Sequence, residues 1–426
     1  MRRPRPLAAA PLLLALLHPP GAAAQEGGAL PAPFLFPVPG PGADAANGVR
    51  RARDGDLVIA GYARGPRGDA EMLLVRADPA GRPRWTRRYG EGGDDLGWVA
   101  RELPDGGFAL LGWGASARTS SEDAVLVRTD AAGNPLWRRT YGGPENQRAT
   151  DLAVLPDGGM VFVEQTGEPA GCIPSSSGRP PCADIRSAVV RVDADGEELW
   201  RTGVAGPGID RLFYVGVDGT GRIVAMGLAT RAPGADLDVL AVALDAGGGL
   251  LWARRYGGAG DDVGHALLVY PDGEAVLGGY GSTGAAGPND GFAIRVGVDG
   301  EPVRCTRFGG GGDDRVIAMA PAADGGYVAT GYTRSFGAAG WDAYLAKLDA
   351  ADRLEWLRAY AAPADQAGNA AVEVPGGWVV AGYGDVGGER GRELLLLAVD
   401  PQGIAGSGTA PSPADPVGEG CSLSAR

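Results

Sequence analysis

Histidine is nearly missing from this chain: of 426 residues only His18 and His265 carry an imidazole, and His18 falls within a 24-residue leader. A Ser/His/Asp triad or a multi-histidine metal site is thereby excluded. A lone histidine reads as a polar loop or strand residue. The 3.6-residue apolar period of an amphipathic helix is absent after the leader, which excludes a helical domain. Long apolar runs are lacking too, since Leu7 to Leu17 is too short to span a bilayer, so no membrane insertion is expected. No cysteine follows that run where a bacterial lipoprotein would need one. Positive charge is in deficit: the formal net charge is -13, and losing Arg2, Arg3 and Arg5 with the leader takes it to -16. That balance argues against nucleic acid and against anionic membranes as partners.

The leader itself has the form of a secretory signal, with the arginines first, the apolar run next, and a small-residue cleavage site at Gly21-Ala22-Ala23-Ala24. The mature chain is expected to begin at or near Gln25 and to be secreted or periplasmic. Disulfides persist in such compartments. Cys172 and Cys182 are expected to be bonded, whereas Cys305 and Cys421 can pair only if the tail folds back onto the body.

What is plentiful is repetition. Asp54, Asp105, Asp157, Thr220, Asp272, Asp324 and Pro375 are each followed by glycine, at steps of 51, 52, 63, 52, 52 and 51 residues. In the same register, Trp85, Trp137, Trp200, Trp252 and Trp356 each follow a D-x-x-G turn or a near variant. In the fifth unit that place falls on Arg304, next to Cys305. A third marker is the aromatic-glycine pair at Tyr89-Gly90, Tyr141-Gly142, Tyr256-Gly257 and Phe308-Gly309. Self-similarity at such a period signals a solenoid or a propeller.

Within a unit, turn chemistry separates four short strands, in the second unit Gly97 to Leu103, Phe108 to Trp113, Ala124 to Thr129 and Pro135 to Tyr141. The third strand is often continuously apolar, as in Leu394-Leu395-Leu396-Leu397, which fits a sheet covered on both faces. The expected fold is an all-β, seven-bladed β-propeller with four antiparallel strands per blade. A parallel β-helix, the competitor, has shorter coils and no paired hairpins. The seventh unit lacks material for a fourth strand. A shift of 51 residues places Phe34 where Trp85 sits, so the N-terminal segment, residues 25–43, is expected to close the ring by completing the last blade. Residues 44–407 then form the propeller, and residues 408–426, rich in Gly, Ser, Pro and Ala, a disordered tail.

The markers at Asp324-Gly325-Gly326-Tyr327, Gly331-Tyr332, Asp342, Lys347, Asp349, Trp356 and Tyr360, with Gly257-Gly258 to Asp261-Asp262, resemble those of secreted bacterial and archaeal propeller repeat proteins. The resemblance covers residues 44 to about 400 and implies fold and export, not a reaction. The D-x-x-G-x-x-x-W turn also resembles the tryptophan-docking turns of quinone-dependent propeller dehydrogenases, where such turns lock blades together and do not hold the cofactor. Blade packing is a sufficient role for the tryptophans here.

Paired acids open many units, at Asp94-Asp95, Asp261-Asp262 and Asp313-Asp314, and these are the candidate metal ligands, for calcium if for any cofactor. A further acid opens the third strand at Asp69, Asp123, Asp238, Asp290, Asp342 and Glu393. Strand alternation puts both sets on one face. A polar or cation-binding face is the functional reading, and turn capping by short aspartates is the preferred structural one. Gly257 to His265 and Gly309 to Ile317 partly match the calcium nonapeptide, but that motif works by stacking every nine residues, and here it returns every 52.

Departures from the repeat are better places to look for function. The third unit is longer by 11 residues and carries Cys172, Ser175, Ser176 and Cys182 before its third strand, with Arg186 where the acid is expected. Loops on a rigid scaffold commonly bind. The preferred function is an exported, monomeric scaffold that binds protein or carbohydrate through the acidic, loop-bearing face. The alternatives are a polysaccharide hydrolase or lyase with two carboxylates at the channel mouth, and a calcium-stabilised structural propeller. The enzyme reading needs an acid pair that stands apart from the repeated set, and none is evident.

Overall fold

The computed structural model describes residues 34–35, 45–79, 81–115, 121–167, 186–204, 210–230, 235–282, 289–337, 340–360, 365–385, 392–405 and 424–425. They form seven antiparallel sheets arranged as the blades of a propeller. Blade two shows the plan, with strands Asp95–Glu102, Phe108–Ala115, Glu122–Thr129 and Pro135–Tyr141 in sequence order from the axis outward. The inner strands of the other blades are Ala45–Arg51, Gln147–Val154, Asp210–Val217, Asp262–Val269, Asp314–Pro321 and Gln366–Val374. Each touches the next, and the inner strand of blade seven touches that of blade one, with Asn369 donating to the Ala46 carbonyl.

Apolar faces of neighbouring blades interdigitate to make the core. One cluster joins Leu57, Ile59 and Leu73 of blade one to Val372, Val379 and Leu396 of blade seven, and similar clusters fill the other joints. Strand three is apolar at most places because both of its faces are covered, as Leu237–Leu244 shows, buried at every position with Asp238 its one polar residue.

The sequence markers are the fastenings of these joints. Tyr89 donates its hydroxyl to the Gly133 carbonyl of the next blade at 2.8 Å, and Tyr141, Tyr256 and Tyr360 do the same to Gly196, Gly300 and Gly403. Trp85 and Arg87 press on the same turn. A Cβ on Gly133 would lie 2.8 Å from Arg87 and 2.9 Å from the Trp85 ring, and its φ of +77° also favours glycine. The joint between blades five and six departs from this as a set: Arg304 takes the tryptophan place, Phe308 the tyrosine place, and Asp352 the glycine place with φ of +60°.

Three full strands make up blade seven, Gln366–Val374, Gly377–Asp385 and Arg392–Val399. Beside the last of them Phe34 lies opposite Leu396 and Leu35 opposite Leu395. That register is two residues away from the expected one, since the tryptophan place on blade one pairs with Arg76, whose equivalent here is Ala398. Of the tail expected to be disordered, Ser424–Ala425 run antiparallel to Gly257 and Tyr256 on blade four, and residues 408–423 lie outside the described residues. No helix of the described residues is long and apolar enough to cross a membrane.

Candidate functional site

The inner strands carry the main departure from plain alternation. All seven shift register once, at Asn47, Trp98, Thr150, Phe213, His265, Ile317 and Asn369. A bulge re-aims the extra residue and leaves it out of the ladder. These residues reach around the channel: Asn47 donates to the Gly97 carbonyl and Thr150 to that of Phe213. The Tyr214 hydroxyl crosses from blade four to the Ile317 carbonyl of blade six at 3.0 Å.

At the end where the inner strands begin, blades four to six present a continuous stack of rings and guanidinium groups. Arg211 lies 5.4 Å from the Phe213 ring centre, and Phe213 stacks on His265 at 5.1 Å and 12°. His265 in turn stacks on Tyr280 at 5.8 Å and 13°. The series continues with Arg315, 4.8 Å from Tyr280, 5.7 Å from Tyr332 and 5.4 Å from Trp341, and ends with Arg334, 4.1 Å from Trp341. On blades two and three Trp98 packs on Trp113 at 5.0 Å, with Arg148 at 5.6 Å from the latter.

Arg211, Arg315 and Arg334 bring positive charge to this mouth, with the Asp313 carboxylate 4.0 Å from Arg315. Burial, followed by the charges of Arg211 and Arg315, holds His265 down to about 4, so its imidazole is a neutral ring at pH 7. Burial lifts the Tyr280 phenol to about 12, so it too is neutral. Further along the channel Arg101 bonds Asp151 at 2.7 Å, and burial with the charge of Arg101 lowers Arg50 to about 10.

Most of the sequence-predicted acids are buried in the joints, while Asp94 is exposed and Asp261 and Asp313 are half-buried. Asp94, Asp261 and Asp313 each accept the backbone N–H that opens strand three of the preceding blade, at Ala70, Leu237 and Asn289, at 2.7 to 3.0 Å. Asp95, Asp262 and Asp314 are at most 3% exposed and accept the N–H of Glu91, Gly258 and Gly310. Asp123, Asp238, Asp290 and Asp342 are at most 3% exposed as well. Register places Glu71, not Asp69, as their counterpart in blade one, because Glu71 precedes the residue opposite Tyr89 as Asp123 precedes that opposite Tyr141.

Acids of adjacent blades are brought together around the glycine of the aromatic-glycine pair. A Cβ on Gly309 would lie 2.4 Å from Asp290 Oδ1 and 2.8 Å from Asp314 Oδ2, and one on Gly257 2.1 Å from Asp238 Oδ1 and 3.1 Å from Asp262 Oδ2. Burial, helped by the Asp314 charge, pushes Asp290 up to about 6. Burial does the same to Asp262, also to about 6, against the pull of the Gly258 N–H and Arg307. Among the described residues no three acid, cysteine or histidine side chains are placed to share a metal ion.

Arg186 opens strand three of blade three at the place an acid holds elsewhere, exposed and opposite Thr166. Cys172, Ser175, Ser176 and Cys182 lie outside the described residues. Cys305 stands on the outer strand of blade five and is not a free thiol, its partner lying outside the described residues. The residues missed from sequence are Arg211 and Arg315, Phe213 and His265. A signal existed: both arginines directly follow an inner-strand acid, Asp210 or Asp314, and both rings sit three places beyond one, Asp210 or Asp262.

No family model matches this chain, and no curated protein matches it. Its fold is similar to several solved structures. The Pan2 WD40 domain of Neurospora crassa is 11% identical with a TM-score of 0.52, covering 88% of this chain and 95% of that one. A PL25 ulvan lyase is 12% identical with a TM-score of 0.51, covering 84% and 95%. A Dyadobacter fermentans protein of unknown function is 13% identical with a TM-score of 0.46, covering 86% and 97%. At these identities the likeness is one of fold alone.

Proposed function

We propose that this chain is an exported propeller that binds an acidic polysaccharide across the mouth of its channel. The observation that carries the reading is the stack from Arg211 through Phe213, His265 and Tyr280 to Arg315. The Arg211 fork is taken up by Gln165, whereas Arg315 is partly exposed at the mouth, and a guanidinium there matches carboxylate or sulfate groups. A cluster of arginines on a chain of net charge -13 marks one place where an anionic ligand is attracted. The long insertion of blade three supports the same face, because its flanks, Thr166 and Arg186, pair with each other at that end.

Export follows in this reading from the leader at residues 1–24, with cleavage near Ala24. The N-terminal segment completes the last blade, a reading supported by the pairing of Phe34 with Leu396 and by the absence of a fourth strand from the seventh unit's own sequence.

Electrophoresis of the mature protein through gels containing pectate, alginate or dextran tests the function. Retardation by an anionic gel but not by dextran, weakening between about 50 mM and 500 mM salt, is the expected result. Equal mobility in all three gels rejects the reading.

A further inference from the structure

At one place on strand two, six blades have glycine, at Gly61, Gly112, Gly227, Gly279, Gly331 and Gly382, and blade three has Glu164. The register leaves no doubt of equivalence: Glu164 lies opposite Ala149 just before the inner-strand bulge, as Gly112 lies opposite Gly97. Glycine is the ordinary requirement here, because a Cβ on Gly112, Gly279 or Gly331 would come within 2.0 Å of an inner-strand carbonyl.

Glu164 is 1% exposed, and burial raises its pKa above the usual carboxylate range. Arg201 Nη1 bonds its Oε1 at 2.5 Å, while Oε2 has no hydrogen-bond partner. A buried carboxylate with one idle oxygen costs stability, and in this fold glycine does the structural job. Its other oxygen, Oε1, accepts from Arg201 and from Thr166.

It lies in the wall of a cavity of about 440 Å³ between blades two and three, with Thr140, Gln147, Thr166, Glu198 and Arg201 around it. That volume is in the range of small-molecule pockets. A metal ion is opposed by the Arg201 guanidinium, which binds Glu198 through Nε and Nη2 at 3.1 and 2.9 Å as well as Glu164. With both carboxylates already bonded to Arg201, a ligand rich in O–H groups suits the lining, since it can donate to a carboxylate and exchange hydrogen bonds with the Thr140 and Thr166 hydroxyls.

We propose that this cavity binds one neutral sugar unit, with Glu164 and Arg201 as its polar anchors. None of the anchoring residues belongs to the stack on blades four to six, so the two readings fail independently.

Saturation-transfer NMR with the methyl glycosides of glucose, galactose and mannose tests this on the mature wild-type protein, on Glu164→Gly and on Arg315→Gln. Glu164→Gly gives blade three the residue of the other six, so it folds, and an unchanged or higher Tm verifies that. The expected result is binding of at least one glycoside to wild type, an affinity lower by about tenfold or more in Glu164→Gly, and no change in Arg315→Gln. A cavity that holds water only gives no transfer from any of the three sugars and overturns the proposal. Binding that survives Glu164→Gly overturns it equally.

Discussion

Arg295 of blade five grips Asp352 of blade six through two hydrogen bonds, Nε to Oδ2 at 2.8 Å and Nη2 to Oδ1 at 2.7 Å. The same carboxylate accepts the Tyr327 hydroxyl. At this joint an ion pair stands where four other joints have the tyrosine-to-glycine fastening. Both partners are largely buried, at 12% and 2% side-chain exposure. Asp352→Gly would restore the residue of the other turns and relieve a left-handed backbone, worth about 1 kcal/mol. It would also leave Arg295 with Glu274 and the Tyr270 ring in place of its two-pronged partner. Loss of a buried partner is the larger effect, so the variant is expected to be less stable by about 2–4 kcal/mol in urea unfolding.

The Asp290–Asp314 joint gives a pH dependence of definite sign. Asp290 rises from its ordinary 3.8 to about 6 in the folded protein. Between those values the folded state holds a proton that the unfolded state has released. This group's contribution to stability therefore falls as pH rises from about 4 to about 6, then levels off. Asp262 acts in the same direction, and His265, lowered to about 4 from 6.5, acts against both. Asp290→Asn isolates one limb. Its Tm is expected to exceed that of wild type by about 2 °C or more at pH 7.5 and to converge with it near pH 4.

Much of the scaffold was legible in the sequence, and the reason is mechanical. A repeat must place Trp85, Tyr89 and the glycine of the next turn, Gly133, in fixed register or neighbouring blades do not lock, so their spacing survives in the chain as a period. The acids were legible as caps of backbone N–H groups, but not which blade each caps, because a carboxylate that bonds across a joint reads the same in sequence as one that bonds within its own turn. Asp94 and Asp261 spend their oxygens on Ala70 and Leu237. The stack was hidden for another reason: Phe213 and His265 occupy bulges, and a single extra residue breaks the two-residue alternation that would have shown which way they point. Glu164 was readable as the one break in a column of six glycines, but only once strand register had aligned that column.

Removal of divalent cations is expected to leave the Tm unchanged. The Oδ1 atoms of Asp94, Asp261 and Asp313 already accept backbone N–H groups across the joints. Thermal melts with and without chelator check this, since a metal bound only by the folded state would raise the midpoint. A fall on chelation would restore the calcium-stabilised reading.

Deletion of residues 26–43 removes the strand beside Leu395 and Leu396. The outer strand of blade seven then offers unpaired N–H and C=O groups, an invitation to edge pairing between molecules. Light scattering on warming is expected to rise at a lower temperature than for the parent. A truncated protein as soluble and heat-resistant as the parent would show that the segment does not complete the blade.

Calorimetric titration of a pectate oligomer into wild type and Arg315→Gln addresses the channel mouth directly. Arg315 contacts three rings of the stack, so losing its charge is expected to weaken binding by about tenfold or more while leaving the Tm within about 2 °C. Equal affinities for the two proteins, or no heat from either, would contradict the assignment of the mouth as an acidic-polysaccharide site.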